Sequence, residues 1–222
     1  MGQTKVIAFT DVGTKNVTHG LFIKSSAIGS YKFGRNLIES GLLMNVRSNN
    51  QRLFPGIRIL ASREALNRKK PVELQGFLLQ NTSSDILTET NYGALFHIKR
   101  KYYDFALGTN FRTYAFTRRA IDTYEIQNNA VRFTEPWNLM YALSLYLKQM
   151  NSYWNIGLSL TNFDYFLIYQ ETNPEINLKI LYQLNDHLSL LAEGWYETSG
   201  LLNRYANFFG IFARTGIKWT IK

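Results

Sequence analysis

Apolar and polar residues alternate one by one along most of this chain, and that period of two is the strongest constraint on its fold. Trp137, Leu139, Tyr141, Leu143, Leu145 and Leu147 alternate with Asn138, Met140, Ala142, Ser144, Tyr146 and Lys148. Ile176, Leu178, Ile180, Tyr182 and Leu184 alternate with Asn177, Lys179, Leu181 and Gln183. A helix needs apolar positions three and four apart, whereas a strand turns successive side chains to opposite faces. Strands are expected near 4–11, 17–33, 36–48, 53–65, 71–82, 89–100, 102–116, 134–148, 153–163, 174–184, 187–198 and 207–222, with no helix between them. That makes twelve; without strand 4–11, ten is the next even number. The connections are too short for the crossovers a parallel sheet requires. The chain therefore reads as an all-β antiparallel meander, a single domain over residues 1–222.

Composition decides where such a sheet can live. With 45% hydrophobic residues the chain has enough to bury, and disorder is excluded. The absence of Cys removes disulfides, thiol catalysis and Cys-based zinc sites. Mean hydropathy is −0.20 and no run of 18 apolar residues occurs, which excludes a transmembrane helix but not a transmembrane barrel. A soluble barrel turns its apolar face inward and shows Lys and Glu to water. Here the second face is mostly Gly, Asn, Ser and Thr, which suits a crowded lumen. The apolar faces are Leu, Ile and Phe, which suits lipid. Tyr31, Tyr92, Tyr102, Tyr103, Tyr114, Trp137, Tyr153, Trp154, Trp195 and Trp219 fall near strand ends, where aromatic girdles sit. Short connections (34–35, 66–70, 100–101, 149–152, 185–186) alternate with mostly longer ones (12–16, 49–52, 83–88, 117–133, 164–173, 199–206), as periplasmic turns alternate with extracellular loops. The expected architecture is a closed, up-and-down transmembrane β-barrel of twelve strands, with both termini on the short-turn side.

This rhythm, the terminal strand FFGIFARTGIKWTIK (208–222) and the phrase QLNDHLSLLAEGWYE (183–197) resemble the small outer-membrane β-barrel proteins of Gram-negative bacteria. The resemblance implies a fold and an outer-membrane location, but no one activity, because such barrels host many. The chain departs from the pattern at its end, Trp219-Thr220-Ile221-Lys222, where many members finish on an aromatic residue. MGQTKVIAF has no signal-peptide pattern, so the expected reading is a mature sequence in which Met-Gly replaces the signal peptide.

Few residues suggest chemistry. His187-Leu188-Ser189 resembles the His-x-Ser spacing of outer-membrane phospholipases and lipid A deacylases. Leu190-Leu191 stands where Asn-Gly should follow, however, and the pair falls at a short turn. His19, Ser48 and Asp11 could form an outward-facing triad reaching outer-leaflet lipid, if Phe33 pairs with Asn36. His97 points inward with no obvious partner. Three scattered histidines give no metal site, and no cofactor is expected. The isoelectric point near 9.6 invites nucleic acid, but no recognition motif or P-loop accompanies it.

Charge gives a more coherent pattern. Glu39, Glu73, Lys99, Asp104, Lys148 and Lys218 map inward near the periplasmic end, with Arg112 and Arg214 higher. Interleaved charges of both signs imply a self-neutralising plug, or else a charged constriction in a narrow pore. Arg35, Arg68, Lys69, Lys70, Arg100 and Lys101 form a basic periplasmic rim suited to phospholipid head groups or an acidic protein partner. Lipopolysaccharide would meet the other end. Loop 117–133 is expected to fold over the barrel mouth or dock on a partner. The expected function is a non-catalytic accessory or scaffold subunit with a largely plugged lumen. The alternatives are an acyl hydrolase or transferase acting on outer-leaflet lipid, and a narrow selective pore.

Overall fold

The alternation becomes twelve antiparallel strands in one closed sheet. A computed structural model describes residues 2–15, 20–47, 53–65, 72–82, 87–124, 133–147, 153–164, 166, 170–197 and 210–221. The strands are β1 (Gln3–Lys15), β2 (Gly20–Phe33), β3 (Asn36–Arg47), β4 (Leu53–Ala65), β5 (Val72–Thr82), β6 (Leu87–Lys99), β7 (Tyr103–Phe116), β8 (Phe133–Leu147), β9 (Trp154–Phe163), β10 (Gln170–Gln183), β11 (Leu188–Glu197) and β12 (Gly210–Ile221). Each pairs with its sequence neighbours, and β1 pairs with β12 to close the barrel. β1 runs past the expected 4–11 and pairs without a break from Thr4↔Ile221 to Lys15↔Gly210. Ten strands are thereby excluded. Closure leaves no open sheet edge, which a membrane demands because lipid cannot satisfy a free N–H or C=O. Among the described residues no helix is long and apolar enough to cross a membrane, so any crossing belongs to the strands.

Prolines sit where the ladder tolerates a missing donor. Pro55 pairs with Met44 on β3, whereas the ladder to β5 begins only at Gly56. Pro136 lies where the β7–β8 register shifts between Asn110 and Arg112, and Pro174 where β9–β10 shifts between Gln170 and Glu175. These are bulges, and they re-aim the strand rather than break it. The turn between β2 and β3 is a two-residue hairpin, closed by Phe33↔Asn36. Gly34 there takes φ of +57°, which a Cβ disfavours. Gly34→Ala is expected to cost about 1 kcal/mol, read as a lower urea midpoint for the folded barrel.

The sheet is inside-out relative to a soluble barrel. Adjacent residues make the point: Leu42 is 65% exposed and Leu43 only 3%. Leu74, Leu139, Leu145, Leu158 and Ile217 share the outer face with Leu42. Tyr31, Phe33, Tyr102, Tyr103, Tyr153, Trp154 and Trp219 lie exposed around the short-turn end. Tyr31 stacks on Phe33 at 5.8 Å, and Trp154 meets Tyr182 at 4.5 Å. Trp137 and Tyr196 stand exposed toward the other end. Trp195 departs from the expected girdle. It shares the phase of Glu193 and Glu197, faces the lumen, and is 3% exposed.

One connection holds a helix that alternation does not foresee: α1 (Arg118–Tyr124). Thr117 caps it, since Ala120 N–H donates to Thr117 Oγ1 at 3.2 Å and Ile121 N–H to the Thr117 carbonyl at 3.1 Å. Ala120 is buried, whereas Tyr124 is 64% exposed. Ile126 and Val131 of the same loop lie outside the described residues.

Candidate functional site: the lumen

Residues of β1, β2, β10, β11 and β12 that share one level build a row of alternating charge. Asp11 pairs in register with Lys24 on one side and Arg214 on the other. Arg214 is opposite Glu193, and Glu193 opposite Lys179. All five face inward, so the row crosses the lumen wall as Lys, Asp, Arg, Glu, Lys. At its centre Arg214 is fully buried. Its Nε donates to Asp11 Oδ1 at 2.7 Å and its Nη2 to Asp11 Oδ2 at 3.2 Å, a two-pronged fork. Nη1 reaches Glu193 Oε2 at 3.1 Å and Asp164 Oδ2 at 2.9 Å. Phe9, Phe166 and Trp195 flank the guanidinium at 4.3, 5.2 and 5.8 Å. Trp195 Nε1–H donates to Glu193 at 3.1 Å, and its ring stacks on Phe212 at 5.4 Å. Phe9, Phe22, Leu43, Leu79 and Phe212 complete an apolar, buried cluster around this node. Buried charge persists only when paired and hydrogen-bonded, and Arg214 meets both conditions.

Below this node the lumen opens. A cavity of about 420 Å³ extends toward the short-turn end, its inner wall including Phe163, Phe166 and Trp195. Its lining carries Lys5, Lys32, Arg35, Arg58, Lys99, Lys179 and Lys218 against Glu39, Glu64, Glu73 and Asp104. The carboxylates are engaged: Glu64 with Lys32 at 2.6 Å, Glu39 with Arg58 at 2.7 Å, and Glu73 with Lys99. Asp104 lies 3.8 Å from the buried ring of His97. Lys179 reaches Glu193 at 3.4 Å. Among the described residues, Lys5, Arg35 and Lys218 have no carboxylate partner.

The lumen residues expected from the sequence are therefore distributed over three places. Glu39, Glu73, Lys99, Asp104 and Lys218 line the cavity. Arg112 lies on the loop side, 3.2 Å from Glu89 and donating to Asn91 at 3.0 Å. Arg214 forms the node; Lys148 lies outside the described residues. On the rim, Arg35 stands at the cavity mouth, Arg100 bonds the Lys99 carbonyl at 2.9 Å, and Lys101 sits 4.9 Å over the Tyr102 ring. Arg68, Lys69 and Lys70 fall outside the described residues. Arg58, Asp164 and Glu193 were not anticipated. Arg58 and Glu193 had a signal, since each alternates with outward residues, Ile57 and Ile59 for one and Ala192 and Gly194 for the other.

The outward triad does not assemble as expected. Asp11 faces the lumen and is bound to Arg214, because it shares the phase of Phe9. His19 and Ser48 lie outside the described residues. His187 is a turn residue: its Nδ1 lies 3.0 Å from the Thr220 carbonyl, and Asn185 Oδ1 accepts its backbone N–H at 2.9 Å. Among the described residues no group of three acidic or imidazole side chains could hold a metal ion.

No protein-family model matches the chain, and no curated protein does. Solved structures do. The KdgM porin in complex with disordered oligogalacturonate is similar at 12% identity and a TM-score of 0.59, covering 97% of this chain and 99% of that one. The NanC porin is similar at 11% identity and 0.56, covering 96% and 98%. An outer membrane channel from Pseudomonas putida F1 is similar at 7% identity and 0.53, covering 99% and 95%. The shared fold is the closed twelve-stranded barrel of the small Gram-negative outer-membrane proteins. With the lipid-facing belt, it places this chain in an outer membrane. The expectation of an accessory or scaffold subunit is overturned: the similar barrels are porins and channels, and the lumen, expected to be largely plugged, holds a charged cavity.

Proposed function

We propose that this barrel is a narrow outer-membrane channel for small hydrophilic solutes. The observation that carries the reading is the cavity of about 420 Å³ inside a closed barrel, lined by charged groups of which Lys5, Arg35 and Lys218 have no carboxylate partner among the described residues. The likeness to porins and a channel supports it. The Arg214 node and the rings around it are the constriction. The cavity is the vestibule on the short-turn side, which is the periplasmic side. Against the belt, phospholipid would lie at that end and lipopolysaccharide at the loop end.

Proteoliposomes test the proposal. Vesicles holding the folded barrel are expected to swell in isotonic solutions of small polyols and pentoses, with rates falling steeply as solute size grows. Vesicles with verified insertion that stay as tight as protein-free ones would refute the channel.

A further inference from the structure

Lys5 and Lys218 stand on adjacent strands and face the same cavity. The register pairs Lys218 with Ile7 and Lys5 with Thr220, so the two lysines are diagonal neighbours on the inner wall. Lys179 lines the same cavity. Lys179 has Glu193 at 3.4 Å, whereas Lys5 and Lys218 have no anionic partner among the described residues. On the wall formed by β4, Arg58 lines the same cavity and is 1% exposed. One of its nitrogens binds Glu39, but Nε and Nη1 have no hydrogen-bond partner among the described residues.

Holding like charges together costs energy, and so does a buried donor left without an acceptor. One kind of guest relieves both: an oxyanion, whose oxygens accept from ammonium and guanidinium groups at once. A neutral sugar would leave the repulsion in place, and a cation would add to it.

We infer that the vestibule is a binding site for solutes bearing a carboxylate or phosphate group, held by Lys5 and Lys218 with Arg58 of β4, which lines the same cavity. The inference rests on the channel reading, in that the cavity must be open to solute. Binding at this site would slow and select the solute ahead of the constriction, and would weaken as salt screens the lysines.

The test is calorimetric titration of the folded barrel in non-ionic detergent at low ionic strength, with inorganic phosphate and with succinate. Saturable one-to-one binding of either probe is expected, and the tighter of the two identifies the group recognised. Lys5→Met with Lys218→Met should weaken binding at least tenfold while leaving the barrel folded, read as a gel band that shifts only after boiling, because the change removes two like charges from one wall. Lys5→Gln with Lys218→Gln keeps polarity and should weaken it similarly. Lys101→Gln on the rim should bind as the unmodified protein does. No saturation by either probe, or unchanged binding in both double variants, would overturn the site. A barrel that conducts but binds neither probe keeps the channel and loses the site; one that binds but does not conduct does the reverse.

Discussion

Replacing Arg214 with Ala lowers the stability of the folded barrel by about 3–5 kcal/mol and raises its conductance. The magnitude is that of breaking a buried ion pair, where most of the cost is the charge left behind. Here Asp11, Asp164 and Glu193 would remain, all turned toward the space the guanidinium vacates. They can recover only by taking up protons or by drawing in water. Either outcome loosens the packing of Phe9, Phe166 and Trp195, whose rings lie against the guanidinium. Urea titration in detergent reads the stability, and planar-bilayer recording reads the conductance. Combining Arg214→Ala with Asp11→Asn and Glu193→Gln should restore part of the stability, since fewer anions are then stranded, and should keep the raised conductance. An Arg214→Ala barrel as stable as the parent would mean that the node holds nothing together.

Placing a charge on the outer face gives the second large effect. Leu42→Arg is expected to destabilise the membrane-inserted barrel by about 2–4 kcal/mol, the cost measured for Arg near the bilayer midplane of such proteins. Leu42 lies in the middle of β3, between Ala27 and Ile57 on the neighbouring strands, and is 65% exposed. In a water-soluble barrel so exposed a residue would accept Arg almost without penalty. Reversible folding into lipid vesicles, followed by urea titration, separates the two cases. An unchanged midpoint would mean that the outer face does not meet lipid.

Much of the fold was legible because a period of two and alternating turn lengths are local properties. Both survive without knowing which strand meets which. The node was not legible, because Asp11 and Arg214 are 203 positions apart and meet only through closure of the barrel. β1 also blurs its own phase. Val6 and Val12 point outward while Ile7 and Phe9 point inward, so apolar residues alone do not tell which face carries Asp11. Its polar residue then read as outward-facing, and the triad followed from that error. Trp195 misled for a related reason. An aromatic near a strand end suits the membrane interface, yet its phase matches Glu193 and Glu197, and phase decides. Asp164 lies beyond the end of β9 and belongs to no alternating run. The functional expectation failed at another point: counting charges of both signs suggested a largely plugged lumen, but only geometry shows that pairing among the described residues leaves Lys5, Arg35 and Lys218 over and a cavity beside them.

The most direct measurement is single-channel current from the purified, folded barrel in a planar bilayer under a KCl gradient. Small, resolved unitary steps are expected, with a reversal potential on the chloride side set by Lys5, Arg35 and Lys218, which have no carboxylate partner among the described residues. A silent bilayer despite verified insertion, or steps that favour potassium, would contradict this expectation.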